Sequence, residues 1–183
     1  MDEIVMVETD IKRWEELSKS NERPSWQSRN DVVVSLIPSG SSVLDVGCGN
    51  RDIEKLLNGT SKYQGLDCVG DATNTIIVDF NKVDATQVHL ATHYDYAVCS
   101  GVLEYIENAK TFLHFVATHS NKIILSYTIK ENRNNKDAMS VNGWVNEFTR
   151  AELEKLFHQT SLKIIQETKY KKHSIFVLGR INR

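Results

Sequence analysis

Closely spaced glycines are the first residues of this 183-residue chain whose type and spacing indicate chemistry. Gly47 and Gly49 follow a short apolar segment and precede a segment with helical periodicity, an arrangement that lets a ligand approach bare backbone near a helix N-terminus. The full dinucleotide fingerprint requires a third glycine at position 52, where this chain has Asp52. Because two glycines alone are a weak signal, the acids around them decide the interpretation.

Three aspartates accompany the glycines. Asp67 lies twenty residues after Gly47 at the end of a predicted second strand, where a carboxylate can accept both ribose hydroxyls. Asp79 ends a predicted third strand, within reach of an adenine amino group. Asp45 lies inside the first predicted strand, where an unpaired charge is costly, so we expect it to have cationic or amide partners. Together these acids indicate a site for a cofactor that contains a nucleoside.

The elements that must position these residues alternate between strand-like and helix-like segments, which predicts a mostly parallel sheet with helices on both faces. Strands are predicted at 42–46, 63–67, 75–79, 94–100, 122–129, 162–168 and 175–181. Helices are predicted from Ile11, from Pro24, over 52–57, over 111–119, and from a capping box at Thr149 and Glu152 to Gln159. The short connection 169–174 makes the last two strands a hairpin, so we expect the last strand to be antiparallel.

Five ordered segments resemble the class I S-adenosylmethionine-dependent methyltransferases. They are VLDVGCGN (43–50), YQGLD (63–67), IIVDF (76–80), YDYAVCSGVLEYIEN (94–108) and FTRAELEKLFHQTSLKIIQE (148–167). The resemblance implies an α/β fold with a Rossmann-like, doubly wound, seven-stranded sheet. It also implies S-adenosylmethionine as cofactor and S-adenosylhomocysteine as its product. One departure concerns position 51, where that family often has glycine and this chain has Arg51, whose side chain narrows the loop unless it points outward.

The resemblance also implies a role for each matching position. Asp45 and the glycine loop hold the methionine half of the cofactor, Asp67 binds the ribose, Asp79 lies near the adenine, and the end of the fourth strand lines the transfer site. The cofactor-binding residues predicted in this way are Asp45, Gly47, Cys48, Gly49, Asp67, Cys68, Asp79, Phe80, Ser100 and Gly101. Arg29, on the predicted second helix, is a further candidate for the cofactor's carboxylate.

Methyl transfer from a sulfonium is an in-line displacement, so alignment of the nucleophile supplies much of the acceleration, and an oxygen nucleophile also needs a base. The candidate catalytic residues are Glu104 and Tyr105, after the fourth strand, and His173, in the hairpin. The long polar segment 130–147 is a predicted active-site lid. Its candidate substrate-binding residues are Asn142, Trp144 and Asn146.

Composition bounds the class of protein. With 40% hydrophobic and 25% charged residues, the chain is typical of one globular domain (1–183), in which 1–40 form an N-terminal helical cap. A net charge of −2 gives no reason to expect nucleic-acid binding, and no segment is apolar enough for a membrane helix. Cys48, Cys68 and Cys99 are widely spaced, so we expect no disulfide, no metal site and a cytoplasmic location.

The acceptor is less defined by the sequence. The chain has little inserted material for gripping a macromolecule, which favours O- or N-methylation of a small-molecule or sugar-like acceptor. Lys169, Lys171 and Lys172 make the hairpin basic enough to meet a phosphorylated acceptor. The run 143–146 is also similar to small bacterial methyltransferases, some tied to surface-glycan synthesis.

Two other classes stay open at this point: an NAD-dependent oxidoreductase, and a module that binds the cofactor without turnover or serves as the partner of an active enzyme. The missing third glycine and the presence of Asp45 count against the oxidoreductase. Oligomeric state is not encoded in any motif, so a homodimer is only the base-rate expectation.

Overall fold

The computed structural model describes residues 9–19, 24–133 and 138–181. The first two helices, α1 (Ile11–Lys19) and α2 (Pro24–Ser35), correspond to the described part of the predicted N-terminal cap. The other helices are α3 (Asp52–Leu57), α4 (Ala109–His119), α5 (Ala138–Asn142) and α6 (Arg150–Gln159). Short 3-10 helices occupy Ala85–Gln87, Leu103–Tyr105 and Lys130–Asn132.

Seven strands form one sheet in the order β3-β2-β1-β4-β5-β7-β6. They are β1 (Ser42–Val46), β2 (Lys62–Asp67), β3 (Thr75–Ile77), β4 (Tyr94–Ser100), β5 (Ser120–Tyr127), β6 (Leu162–Tyr170) and β7 (His173–Arg180). The pairs from β3 to β5 are parallel, whereas β7 is antiparallel to both of its neighbours. The predicted fold class, including the antiparallel last strand, is therefore confirmed.

The core lies on both faces of this sheet, because the central strands are buried on both sides. On one face, α4 and α6 contribute Phe112 and Phe157 to a buried cluster that also contains Leu44 of β1. On the other, α2 and α3 pack Val33 and Ile53 against the opposite side of the same strands. Helices on both faces leave the carboxyl ends of the strands as the place where a ligand can reach the sheet.

Two strand boundaries differ from the prediction in ways that affect the site. Strand β3 ends at Ile77, because its partner β2 ends at Asp67 and the two residues pair with each other. Asp79 therefore follows β3 rather than belonging to it. Strand β7 begins at His173, which pairs with Tyr170, so the hairpin turn is shorter than the predicted connection 169–174. In the described ranges, no helix is both long and apolar enough to cross a membrane.

Candidate active site

A cavity of about 600 Å³ opens at the carboxyl ends of β1, β2 and β4. Its size is typical of sites for small molecules and cofactors, and its position is where open α/β sheets bind ligands. The predicted site residues that line it are Arg29, Asp45, Gly47, Cys48, Gly49, Asp67, Cys68, Asp79, Phe80, Ser100, Gly101, Glu104, Tyr105, Asn142, Trp144 and His173. Asn146 is the predicted site residue that does not line it.

The glycine loop between β1 and α3 is fixed by β2. The backbone amides of Gly47 and Cys48 donate to the carbonyl oxygen of Leu66 at 2.8 and 3.1 Å. Gly47 has a φ of +77°, and a Cβ atom there would lie 2.8 Å from Cγ2 of Val102. Only glycine fits without a shift of Val102, because both the backbone angle and the space exclude a side chain.

Asp67 braces the same loop. Its Oδ2 atom accepts a hydrogen bond of 2.8 Å from the amide of Gly49, and its Oδ1 atom accepts one of 3.2 Å from the amide of Val69. A carboxylate has about four lone-pair sites, so each oxygen retains acceptor capacity for a ligand. The carboxylate is therefore held at the cavity wall with room for hydroxyl donors such as those of a ribose.

Asp79 has one carboxylate oxygen that is satisfied and one that is not. Its Oδ1 atom accepts hydrogen bonds from the hydroxyl of Thr9, at 2.8 Å, and from the amide of Asn81, at 3.0 Å. Its Oδ2 atom is buried without a hydrogen-bond partner among the described residues, and the Lys82 ammonium is 3.9 Å away. A buried acceptor without a partner needs an explanation, and a ligand amino group in the cavity supplies one.

The prediction that Asp45 has a cationic or amide partner is wrong. Oδ2 of this buried carboxylate accepts a hydrogen bond of 2.6 Å from the phenol of Tyr63 on β2. Burial raises the pKa of Asp45 to about 7, since removal from water disfavours the charged form. The phenol satisfies the carboxylate without neutralising it.

The cysteines behave as small apolar side chains. Cys48 packs over β2, where a Cβ atom at Gly65 would lie 2.7 Å from its sulfur, which explains why that strand position is glycine. Burial raises the pKa of both Cys48 and Cys68 to about 12, so these thiols are protonated at neutral pH. All three cysteines are free. Within the described residues, no three His, Cys, Asp or Glu side chains are grouped as metal ligands.

Arg51 does not narrow the loop. Its φ of +57° places it in the left-handed region, which accounts for the preference for glycine at this position. The side chain points away from the cavity and forms hydrogen bonds of 2.7 and 2.8 Å to the carboxylate of Glu54. It also donates to the carbonyl oxygen of Asn74 and lies 4.9 Å from the ring centroid of Tyr63.

Arg29 reaches the end of β4 from α2. It is buried, and its Nη2 atom donates a hydrogen bond of 3.1 Å to the carbonyl oxygen of Ser100. Gly101 makes this approach possible, because a Cβ atom there would lie 2.6 Å from Nη1 of Arg29. The Nε atom of Arg29 is buried without a hydrogen-bond partner in the described structure, and Arg29 itself lines the cavity.

Glu104 is the candidate proton acceptor with the clearest geometry. It is 1% exposed, and its Oε1 atom accepts a hydrogen bond of 3.0 Å from the amide of Thr128. Its Oε2 atom is buried and has no partner among the described atoms. Burial raises the pKa of this carboxyl, which makes its anion a stronger base.

Tyr105 and His173 line the same cavity as Glu104. The ring of Tyr105 packs edge-on against Trp14 of α1, with 4.7 Å between centroids, and its hydroxyl hydrogen-bonds to Trp144. Nδ1 of His173 lies 3.0 Å from the hydroxyl of Thr128. Burial and the cations around it lower the pKa of His173 to about 4, so its imidazole is uncharged at neutral pH.

Asn146 is not placed to contact a substrate, which corrects the prediction. Its Nδ2 atom donates hydrogen bonds of 2.7 and 2.9 Å to the carbonyl oxygens of Leu103 and Ile106. Its Oδ1 atom accepts one of 2.7 Å from the hydroxyl of Tyr127. The side chain therefore anchors the predicted lid segment to the body of the protein. The residues 134–137 of that segment lie outside the described structure.

Several polar residues of the site were not predicted as site residues from the sequence, among them Thr9, Asn30 and Asn81. Thr9 donates to Asp79, Asn30 accepts a hydrogen bond of 2.9 Å from the hydroxyl of Ser100, and Asn81 donates one of 2.8 Å to the carbonyl oxygen of Tyr105. For the two amides a signal existed, because each lies within two residues of a predicted site residue. Nothing in the sequence around Thr9 indicates its contact with Asp79.

Residues 15–167 match the family model described as a methyltransferase domain. This match covers most of the chain, so the protein belongs to this methyltransferase family. The resemblance to class I S-adenosylmethionine-dependent methyltransferases is thereby confirmed, and the NAD-dependent oxidoreductase has no support. No curated protein matches the sequence significantly.

Solved structures of other proteins share this fold at low sequence identity. A Burkholderia thailandensis 1,6-didemethyltoxoflavin-N1-methyltransferase, solved with S-adenosylhomocysteine and 1,6-didemethyltoxoflavin, is 15% identical, with a TM-score of 0.66 over 93% of this chain and 84% of that one. The mitomycin 7-O-methyltransferase MmcR is 14% identical, with a TM-score of 0.68 over 93% of this chain and 58% of its own. A Haloferax volcanii protein solved in complex with the Trm112 methyltransferase activator is 13% identical, with a TM-score of 0.69 over 97% and 100%.

Proposed function

We propose that this protein transfers the methyl group of S-adenosylmethionine to a small-molecule acceptor held in the cavity beside Glu104. One observation carries the proposal. Glu104 lines the same cavity as the glycine loop, and its Oε2 atom is a buried carboxylate oxygen without a partner among the described atoms. A methyltransferase that acts on a hydroxyl needs a base close to the cofactor. The fold brings such a base and the cofactor loop to one cavity.

The residues on the β2 and β3 side fit the cofactor. Asp67 has acceptor capacity for ribose hydroxyls, and Oδ2 of Asp79 is a bare acceptor for the adenine amino group. Asp45 lies next to the loop that receives the methionine half. The free Nε–H of Arg29 suits the carboxylate of that half, since charge-assisted hydrogen bonds to guanidinium are strong. When bound, S-adenosylmethionine supplies the electrophilic methyl group.

The residues after β4 fit the acceptor. Transfer of a methyl group to a hydroxyl or a protonated amine releases one proton, and Oε2 of Glu104 is the atom placed to receive it. His173 is uncharged and acts as a neutral hydrogen-bonding partner for the acceptor, while Tyr105, Asn142 and Trp144 shape the wall. The similarity to O- and N-methyltransferases of small molecules supports this class of acceptor but does not choose between oxygen and nitrogen.

The cofactor assignment is tested by calorimetry. S-adenosylmethionine, S-adenosylhomocysteine and NAD are titrated into the wild-type protein, Asp67→Ala, and the control Asp71→Ala, which removes an exposed carboxylate outside the cavity. We expect the two sulfur ligands to bind with Kd values on the order of micromolar. Asp67→Ala should lose this binding and Asp71→Ala should keep it. If neither sulfur ligand binds, or if NAD binds more tightly than both, the proposal is contradicted.

The role of Glu104 is tested by turnover. Formation of S-adenosylhomocysteine is measured with a panel of sugars, phenols and amines, and the best acceptor is then used with Glu104→Gln and the exposed control Glu154→Gln. We expect Glu104→Gln to lower kcat by roughly 10²- to 10⁴-fold, the range for losing a general base, with the cofactor Kd unchanged. Equal kcat values for both variants would show that Glu104 is not the general base. Tight cofactor binding without turnover on any acceptor would favour the module without chemistry.

A further inference from the structure

The order of the strands places acidic residues on one side of the cavity and basic residues on the other. Asp67 ends β2 and Asp79 follows β3; both strands lie on one side of β4, and both acids line the cavity. Lys171 and Lys172 lie in the turn between β6 and β7, on the other side of β4, and they line the same cavity. The acidic side is the one that fits the cofactor. The basic side is therefore left to the acceptor.

Three cations lie near His173 at the basic side of the cavity, and the ammonium of Lys171 also lies 5.3 Å from the ring centroid of Tyr170. Arg29, Lys172 and Lys171 each lie close enough to His173 to lower its pKa, although they come from α2 and from the hairpin turn. The ammonium of Lys172 also lies 5.8 Å from the ring centroid of Trp144, which lines the same cavity. Positive charge from two separate elements is thus directed at the space next to His173.

Among the described residues, these three cations form no close ion pair. In the described ranges, no carboxylate lies within 4.0 Å of a charged nitrogen of Arg29, Lys171 or Lys172, whereas nearby Arg133 is paired with Glu147 at 3.2 Å. The carboxyl group of Glu104 interacts electrostatically with Arg29, so Lys171 and Lys172 are the cations of this group that are left to an anionic ligand. A concave surface lined by unpaired cations concentrates anionic ligands.

We propose that the acceptor carries a phosphate group, which Lys171 and Lys172 bind at the mouth of the cavity while the methylated end of the acceptor lies toward Glu104. Both lysines are exposed and adjacent in a turn, and lysine ammonium groups bind phosphate as point charges. The guanidinium fork of Arg29 matches either anion, but Arg29 is the cation that fits the cofactor, so the two ammonium groups are left to the acceptor. This inference rests on the proposed function, because it names the substrate class of the same site.

The test uses inorganic pyrophosphate as probe and the intact protein saturated with S-adenosylhomocysteine. Pyrophosphate is titrated into the wild-type protein, into K171Q/K172Q, and into K110Q/K163Q, which loses the same net charge from exposed positions outside the cavity. We expect the affinity to fall about tenfold in K171Q/K172Q, the effect of two partly exposed charge pairs, and to stay unchanged in K110Q/K163Q. Equal losses in the two variants, or no binding to the wild-type protein, would overturn the phosphate site.

A second arm compares acceptors. Glucose, glucose 6-phosphate and glucuronate are competed against pyrophosphate, and their methylation is followed as S-adenosylhomocysteine formation. Competition by the phosphate ester and not by the carboxylate supports the proposal, and the reverse order overturns it. The two proposals fail separately. A protein that binds pyrophosphate through the two lysines but never binds S-adenosylmethionine refutes the proposed function alone, and one that binds the cofactor but not pyrophosphate refutes the phosphate site alone.

Discussion

At the scale of single residues, Gly47 and Arg51 show two solutions to the same backbone problem. Both have positive φ angles in the loop that follows β1, +77° and +57°. Gly47 has no alternative, because a Cβ atom would meet Val102. Arg51 accepts a left-handed conformation that costs on the order of 1 kcal/mol for a residue with a side chain. Its bonds to Glu54 and to the carbonyl of Asn74 offset that cost.

The two constraints on Gly47 can be separated by substitution. Gly47→Ala should destabilise the protein by about 1 kcal/mol for the backbone angle and by a further 1–3 kcal/mol, roughly, for the crowding against Val102. Gly40→Ala is the matched control, because Gly40 has a φ of +83° but open space around it, so only the first cost applies. Unfolding in urea measures both changes.

A double-mutant cycle then identifies the crowding. Combining Gly47→Ala with Val102→Gly should recover at least about 1 kcal/mol relative to the sum of the single effects, since glycine at position 102 removes both Cγ2 and Cβ, which would lie 2.8 and 2.9 Å from the new Cβ atom. If Gly47→Ala and Gly40→Ala cost the same and the cycle shows no coupling, the contact with Val102 does not restrict this position.

The partner of Asp45 shows what spacing along the chain cannot reveal about a residue. Asp67 and Asp79 were placed correctly at the cavity because each closes or follows a strand, a property read from the local pattern. Tyr63, in contrast, reaches Asp45 only because β2 lies beside β1 in a register that pairs Tyr63 with Val43. Register is set by packing between strands, so the sequence predicts that Asp45 needs a partner but not which residue it is.

At the scale of elements, boundaries marked by local chemistry were predictable. Strand β1 lies between a Pro-Ser-Gly break and Gly47, and its predicted bounds are those observed. Helix α6 begins at Arg150, after its N-cap Thr149, whose hydroxyl and backbone form the predicted capping box with Glu152. The ends of β3 and β7 were mispredicted, because a strand ends where its partner stops pairing. That information is not local.

The segment 130–147 was predicted as a lid from its length and polarity, and its far end has another role. The amide of Val145 donates to the carbonyl oxygen of Glu104 at 2.9 Å, and the amide of Trp144 donates to that of Met139 at 3.0 Å. Together with the side chain of Asn146, these bonds hold one end of the segment as a fixed wall of the cavity. Polar residues in a long connection can satisfy backbone groups as well as face a ligand, and composition does not distinguish the two.

At the scale of the whole molecule, the order of the strands determines which charges share the cavity. The crossover that starts at β1 and returns at β4 sends the acids of β2 and β3 to one side and the hairpin of β6 and β7 to the other. Asp45 and His173 therefore line one cavity from different sides. Both are shifted by burial in the direction that disfavours their charged forms, and this has opposite consequences for stability.

Whether each group makes stability rise or fall with pH depends on whether the folded or the unfolded state binds more protons. The pKa of Asp45 is raised from 3.8 to about 7, so between these values the folded state holds the extra proton and stability falls as pH rises. The pKa of His173 is lowered from 6.5 to about 4, so between these values the unfolded state holds the extra proton and stability rises with pH. From about pH 4 to 6.5 the two contributions oppose each other.

Substitution should expose each contribution separately. We measure urea unfolding between pH 4.5 and 7.5 for the wild-type protein, His173→Gln, Asp45→Asn and the exposed control His114→Gln. The stability difference between wild type and His173→Gln should grow in favour of wild type as pH rises to 6.5, because the variant lacks the rising contribution. The difference between wild type and Asp45→Asn should move in the opposite direction up to about pH 7. Parallel curves of stability against pH for all four proteins would mean that neither the pKa of Asp45 nor that of His173 is shifted by folding. The opposite effects expected from the two sides of the cavity would then be absent.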